Sequence, residues 1–205
     1  MAIERYCINI EGIVQGVGFR PFVYRLAQEK VLDGWVANQP QGVSIEVQGE
    51  ALLIRDFLQE LRTNKPQQAE IHSINSSAIE LSDDSGFIIR ESIQSESTPS
   101  EQTPTVTLIS VPPDTAPCQL CIDEMFDPAN RRYHYPFSNC THCGPRFSII
   151  EALPYDRKNT TMQPFILCDS CQHEYTNPLD RRFHAEPTAC PDCGPQLQLC
   201  DSKGY

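Results

Sequence analysis

The chain has 205 residues, enough for one ordinary domain plus small modules. Its net charge of −11 is spread over both parts, −7 across residues 1–109 and −4 across 110–205, which argues against nucleic acid as a main partner. No apolar run approaches the ~20 residues of a membrane span. The opening MAIERYCINI has no apolar segment after a basic start, so a cytoplasmic chain with reduced thiols is expected.

Residues 5–13 (RYCINIEGI) alternate as a strand, with Tyr6, Ile8 and Ile10 on one face. A glycine-rich loop follows. Residues 20–31 then show helical spacing at Phe22, Val23, Leu26, Ala27 and Val31, with Pro21 tolerated in the first turn. Residues 33–38 and 43–48 read as strands joined by the turn Gln39-Pro40-Gln41-Gly42. A second helix is expected over 50–63, apolar at Leu53, Ile54, Phe57, Leu58 and Leu61. Strands over 71–81 and 87–89 complete the unit, and Trp35 is expected in the core. The order β-α-β-β-α-β plus a short β implies an α+β sandwich of the ferredoxin-like type over residues 1–91. Residues 92–113 are rich in Ser, Thr, Pro and Glu and read as a linker, within which TVTLISV has the pattern of a short strand.

Eight of the ten cysteines follow in one arithmetic pattern. Cys118 and Cys121 form a CxxC, and Cys140 and Cys143 form another; the pattern recurs fifty residues later as Cys168, Cys171, Cys190 and Cys193. Each knuckle holds two sulfurs at about the edge of a tetrahedron with Zn–S near ~2.3 Å. Two closed four-cysteine zinc units are therefore expected, over residues 114–155 and 164–205. Ligation within each repeat is the simpler arrangement; ligation across repeats satisfies the same spacing. Four thiolates close the shell, so the metals are expected to be structural. His134, His142, His173 and His184 lie nearby and read as packing residues or as supports for the ligands.

The repeat extends beyond its cysteines. Glu124/Glu174, Pro128/Pro178, Arg131/Arg181, Arg132/Arg182, His134/His184, Gly144/Gly194 and Pro145/Pro195 are identical pairs, and Tyr133/Phe183 is a matched aromatic pair. The Gly-Pro turn after each second CxxC is expected to aim backbone amides at sulfur. The alternation at Phe147 and Ile149, and at Leu197 and Leu199, predicts a short strand leaving each knuckle. The arginine pairs admit two readings: ion pairs to Glu124, Glu174 or neighbouring domains, or contacts of a zinc-finger adaptor with nucleic acid. Cys7 and Cys200 stand outside the array and are expected to pack rather than react.

The loop Val14-Gln15-Gly16-Val17-Gly18-Phe19-Arg20 lies between the first strand and the first helix. Glycines let backbone amides converge there, and the helix N-terminus adds partial positive charge, which makes an anion cradle. Arg20 opens the helix and can grip the same anion through a guanidinium fork.

GIVQGVGFR, with Asn38 eighteen residues beyond Arg20, resembles the acylphosphatase signature over nearly all of residues 1–91. The resemblance implies that Val14, Gln15, Gly16, Val17, Gly18, Phe19 and Arg20 bind the phosphate of an acyl phosphate. It also implies that Asn38 orients the attacking water. Such a domain followed by two CxxC-x18-CxxC units resembles the front part of the HypF family, carbamoyltransferases of [NiFe]-hydrogenase maturation. That resemblance implies carbamoyl phosphate as substrate, two zinc ions in the cysteine units, and a HypE-type maturation protein as partner. ATP and magnesium would belong to domains beyond this chain, where family members continue. The whole is expected to be the N-terminal portion of a longer enzyme. The rival expectation is a zinc-finger adaptor on a catalytically idle scaffold.

Overall fold

The computed structural model describes residues 2–93 and 111–201. The first half is a sheet with two helices on one face. Strand β1 (Ile3–Ile13) leads through the glycine loop into α1 (Phe19–Glu29); β2 (Asp33–Gln39) and β3 (Gly42–Glu50) form a hairpin. Then come α2 (Ala51–Thr63), β4 (Glu70–Ala78) and the short β5 (Phe87–Ile89). The strand order is β4-β1-β3-β2-β5. β1 runs antiparallel to β3 and β4, β2 antiparallel to β3, and β5 parallel to β2. This is the expected α+β sandwich.

Alternation along β1 sends Ile8 and Ile10 to the helix side, where both are fully buried. They meet Val36 of β2, Val43, Ile45 and Val47 of β3, Val23 and Leu26 of α1, and Ile54, Phe57 and Leu61 of α2. Tyr6 packs at the edge of this core. Trp35 is buried, but it neighbours Val36 along the strand and so points to the opposite face. There the Arg90 guanidinium covers its ring at 4.7 Å. The fourth strand is three residues shorter at its end than the pattern suggests. Past Ala78 the amide of Ile79 still pairs with the Arg5 carbonyl, and Ser82 is held by the Gln48 side chain instead of a ladder. Most of the linker, including nearly all of TVTLISV, lies outside the described residues.

The second half has little regular structure. Helix α3 (Gln119–Phe126) starts directly after Cys118, and α4 (Asp169–Thr176) directly after Cys168. A 3-10 turn at Arg157–Asn159 lies between them. The repeats match closely in backbone. His134 and His184 both adopt left-handed conformations, with φ of 57° and 52°. Their amides donate to Met125 and Tyr175, which occupy the same place in each repeat.

The strands expected after each knuckle do not form. Phe147, Leu197 and Leu199 are exposed, and no neighbouring strand offers a ladder to that stretch. Two alternating apolar residues cannot hold an extended conformation without a partner. Ile149 instead packs with Tyr135, Met162 and Ala189 in a small cluster between the units. The Gly-Pro amides also go elsewhere: Gly144 N–H donates to the Thr115 carbonyl and Gly194 N–H to the Cys190 carbonyl. Other amides approach sulfur: that of His142 lies 3.5 Å from Cys140 Sγ, and those of Cys171 and Asp192 serve Cys168 and Cys190. Cys200, expected to pack, is exposed. Cys7 is half-buried, and Asn9 Nδ2 lies 3.8 Å from its sulfur.

The halves touch along the glycine loop and α1. Thr141 and Arg146 press on the loop, the Phe183 ring meets the Tyr24 ring at a centroid distance of 5.3 Å, and Gln68 donates to the His142 carbonyl.

Candidate functional site: an amide cradle closed by the cysteine-rich half

The loop after β1 is built to present amides. Gly16 and Gly18 hold φ of 69° and 73°, left-handed conformations that other residues reach only with strain. Neither has room for a side chain without displacing a neighbour. A Cβ at Gly16 would stand 3.1 Å from Arg146 Cδ, and one at Gly18 3.2 Å from Thr141 Cβ. Among the described residues the N–H groups of Gln15, Gly16, Val17 and Gly18 donate to no protein acceptor. Four adjacent unpaired donors at a helix N-terminus are a costly arrangement unless an anion or water accepts from them. The side chains divide the labour. Val14, Gln15, Gly16, Gly18, Phe19, Arg20 and Asn38 line the cavity over the loop. Val17 does not; its side chain is buried in the hydrophobic core, so only its backbone belongs to the loop's donor set. Gln15 ties the loop down. Its Nε2 donates to the Gln39 and Gly42 carbonyls, and its Oε1 accepts from the Tyr155 amide.

Asn38 lies at the end of β2, 1% exposed. Its Nδ2 donates to the Tyr155 carbonyl at 3.1 Å, which fixes the amide's orientation. Its Oδ1 is buried without a partner. A lone buried acceptor in a polar cavity is a place for a donor such as water.

Arg20 reaches the same cavity from the start of α1 and is met by the other half of the chain. Its Nη1 donates to Asp156 Oδ1 at 2.9 Å, and its Nη2 to Glu186 Oε1 at 2.7 Å and the Tyr155 carbonyl at 3.2 Å. Burial alone would lower the Arg20 guanidinium; Glu186 and Asp156 outweigh it and hold its pKa above the ordinary value. Burial pushes the Glu186 carboxyl up, against the pull of Arg20. His184 lines this cavity too, and burial followed by the Arg20 charge lowers it to about 4, so it is neutral near pH 7.

Arg146 is the second buried guanidinium here, 2% exposed. Its donors go to the backbone carbonyls of Gly16, Cys143, Pro145, Cys140 and Thr141. It therefore fastens the glycine loop to the first cysteine knuckle and has no spare fork for a ligand.

The eight cysteines form two clusters, each within one repeat: Cys118, Cys121, Cys140 and Cys143, and Cys168, Cys171, Cys190 and Cys193. In the first cluster consecutive sulfurs are 3.8, 3.7 and 3.4 Å apart; in the second, 3.7, 3.7 and 3.6 Å. A tetrahedron with metal–sulfur bonds near ~2.3 Å has edges of about 3.8 Å, so both donor sets fit a tetrahedral thiophilic ion.

The matched arginines of each repeat serve the other one. Arg132 is 1% exposed and grips Glu174 with Nη1 at 2.9 Å and Nη2 at 2.5 Å, while its Nε donates to the Ala189 carbonyl. Arg131 Nη2 donates to Cys171 Sγ at 2.8 Å. Reciprocally, Arg182 and Arg181 both pair with Glu124, and Arg181 Nη1 donates to Cys121 Sγ at 3.0 Å. Burial raises the Glu174 carboxyl, but the hydrogen bonds from Arg132 and Arg131 prevail and bring it to about 2. All four arginines thus pair with a carboxylate of the other repeat, the first of the two readings, although Arg131 stays exposed at the surface.

Sequence reasoning located the loop, Arg20, Asn38 and the cysteines, but not Tyr155, Asp156 and Glu186. One signal was available. Laid on the first repeat, Glu186 stands where that repeat has Pro136, within otherwise matched scaffolds.

The family model for acylphosphatase matches residues 6–89, and the model described as HypF finger matches residues 118–150 and 167–200. The carbamoyltransferase HypF of Synechocystis is 46% identical over 163 residues, 80% of this chain and 20% of that protein. The chain belongs to the HypF family. A solved full-length HypF, in a phosphate- and nucleotide-bound form, superposes with a TM-score of 0.88 at 45% identity, over 98% of this chain and 26% of that one. The acylphosphatase of Chlorobaculum tepidum is 38% identical over 82 residues, covering 40% of this chain and 88% of that enzyme. The sequence thus spans about a fifth to a quarter of the HypF relatives it matches. Among the described residues no helix is long and apolar enough to cross a membrane.

Proposed function

We propose that this chain is the N-terminal portion of a carbamoyltransferase and that its first 91 residues hydrolyse carbamoyl phosphate to carbamate and phosphate. The observation that carries this reading is the set of four unpaired amides in the loop before Arg20, in a cavity that Arg20 and Asn38, with its unpartnered Oδ1, also line. The amides of residues 15–18 and the Arg20 guanidinium take the phosphate, and Asn38 Oδ1 accepts a hydrogen bond from water and aims its oxygen. That oxygen bonds to phosphorus as the bond to the carbamoyl oxygen breaks. The electron pair leaves with carbamate, and both water protons end on phosphate. Because the leaving group is a carboxylate of a mixed anhydride, fixed positive charge and positioning suffice for catalysis. The phosphate-bound form of the HypF neighbour supports anion binding in this family.

The cysteine clusters hold two zinc ions, one for each repeat, as closed structural sites that need no open ligand position. Residues 114–155 and 164–205 form the two zinc units, and 92–113 connect them to the first domain. In the longer protein, carbamate passes to ATP- and magnesium-dependent domains and then to a HypE-type partner, where the carbamoyl group becomes the cyanide ligand of the hydrogenase iron. The setting is cytoplasmic.

Phosphate release from carbamoyl phosphate tests the reading. Arg20→Ala is expected to lose about 100- to 1000-fold in rate. Equal rates for wild type and variant would remove Arg20 from the chemistry.

A further inference from the structure

We propose that Glu186 and Asp156 are positioning residues that hold the Arg20 guanidinium toward the amide cradle, so that the cysteine-rich half completes the phosphate site. The inference rests on the reading of residues 14–38 as a phosphate site and adds the residues that make Arg20 competent there.

The geometry is specific on three counts. First, Asp156 takes Nη1 and Glu186 takes Nη2, which fixes the guanidinium plane at two points. The Nε–H has no acceptor among the described residues and is left for a ligand. Second, Glu186 is itself anchored. Its Oε2 accepts from the Arg157 amide and from the Tyr175 hydroxyl, both at 2.9 Å, while its Oε1 faces Arg20. A carboxylate held by three donors is a fixed strut; one that swings aside to admit phosphate would forfeit all three. Third, the Tyr155 carbonyl is shared by Arg20 Nη2 and Asn38 Nδ2. The segment carrying Asp156 therefore orients the cation and the Asn38 amide together at the edge of the cavity.

The duplication supports the same assignment. The two repeats share backbone, cysteines, arginines and left-handed histidines, yet they meet the cradle differently: the first presses Thr141 and Arg146 on the glycine loop, and the second brings a carboxylate to Arg20. Phe183 packs on Tyr24 whereas its counterpart Tyr133 is exposed. Glu186 replaces Pro136 at the repeat position that pairs with Arg20. A buried carboxylate is an expensive substitution in a scaffold role that a proline fills elsewhere.

The test uses the whole chain with its metals bound. Wild type, Glu186→Gln, Glu186→Asp and Asp156→Asn are compared for KM and kcat with carbamoyl phosphate and for competitive inhibition by inorganic phosphate. Metal content and thermal midpoint are measured on the same samples. Glu186→Gln is expected to raise KM and the inhibition constant of phosphate together by about 10- to 100-fold, as loss of a charge-assisted bond implies. Metal content should stay at the wild-type value, and Glu186→Asp should recover part of the loss. A fall in kcat with KM and the inhibition constant unchanged means loss of folded protein only, and overturns the proposal. Tighter phosphate binding in Glu186→Gln also overturns it, because the carboxylate would then be a competitor for the anion. If wild type itself neither hydrolyses carbamoyl phosphate nor binds phosphate, the functional reading fails with it. If wild type does both and Glu186→Gln matches it, only the positioning role is lost.

Discussion

The two halves of this chain are held together by different physics. Residues 2–93 fold around a continuous apolar core shared by four strands and two helices, with Ile8, Ile45, Val47, Phe57 and Leu61 fully buried. Among its described residues the cysteine-rich half has, beside the buried thiols of Cys121, Cys140 and Cys143, a small cluster around Tyr135, Met162 and Ala189. Its deepest large side chain is the arginine Arg132. Where the first half removes apolar area from water, the second spends buried guanidinium groups, carboxylates and thiolates on one another. Such a fold needs every partner in place, because a buried charge that loses its partner is strongly penalised. Apolar packing degrades gradually, whereas the reciprocal arginine clasp makes each repeat a support of the other.

Removing the metals should separate the halves most sharply. Structural zinc supplies about 10–16 kcal/mol in small finger units, so chelation is expected to unfold residues 111–201 while the sheet persists. Amide exchange resolved by residue would show protection retained in β1 and β3 and lost around Cys121 and Cys171. Loss of protection in the sheet as well would break the contrast.

Single substitutions come next. Phe57→Ala should cost about 3–5 kcal/mol in the first half and leave both metals bound. Arg132→Met should cost less, about 1.5–3 kcal/mol, because Glu174 loses the Arg132 fork but keeps its bonds to Arg131. Its distinctive effect is expected in the other repeat, as faster chelator extraction of metal from the cluster of Cys168, Cys171, Cys190 and Cys193. Extraction that speeds up only in the cluster of Arg132's own repeat would contradict the cross-repeat clasp.

The smallest effect concerns pH. His184 titrates at about 4 in the fold, against 6.5 ordinarily. The unfolded chain therefore takes up the proton first, so stability falls as pH drops from about 6.5 toward 4, by at most ~3 kcal/mol. Glu174 adds a loss at lower pH, from 4.5 toward 2, because its carboxylate is stabilised in the fold. His184→Gln should flatten the thermal midpoint between pH 6.5 and 4.5 only. A midpoint as steep as that of wild type over this window would show that His184 stays solvated.

Local chemistry was legible wherever neighbours in sequence are neighbours in space. The period of two in residues 5–13, the helical spacing of 20–31 and 50–63, the Gly16–Gly18 loop and the CxxC knuckles all depend on contacts within a few residues. Expectation failed where the outcome depended on a distant partner. Phe147 and Leu197 alternate with their neighbours but have no strand to pair with. The Gly144 amide was claimed by Thr115, near in space and twenty-nine positions away. Cys200, which takes the frame of Ile150, is exposed rather than packed.

The sequence alone determined the sheet's pleat, the amide cradle with Arg20 and Asn38, and two sets of four thiols. Each follows from periodicity, glycine's freedom at positive φ or ligand spacing, which are properties of short segments. Tertiary structure alone decided that the arginines cross between repeats, and that Asp156, Tyr155 and Glu186 close over a loop some 130 to 170 residues upstream. Those pairings join groups that no periodicity connects, and only the docking of the cysteine-rich half brings their charges within reach of one another.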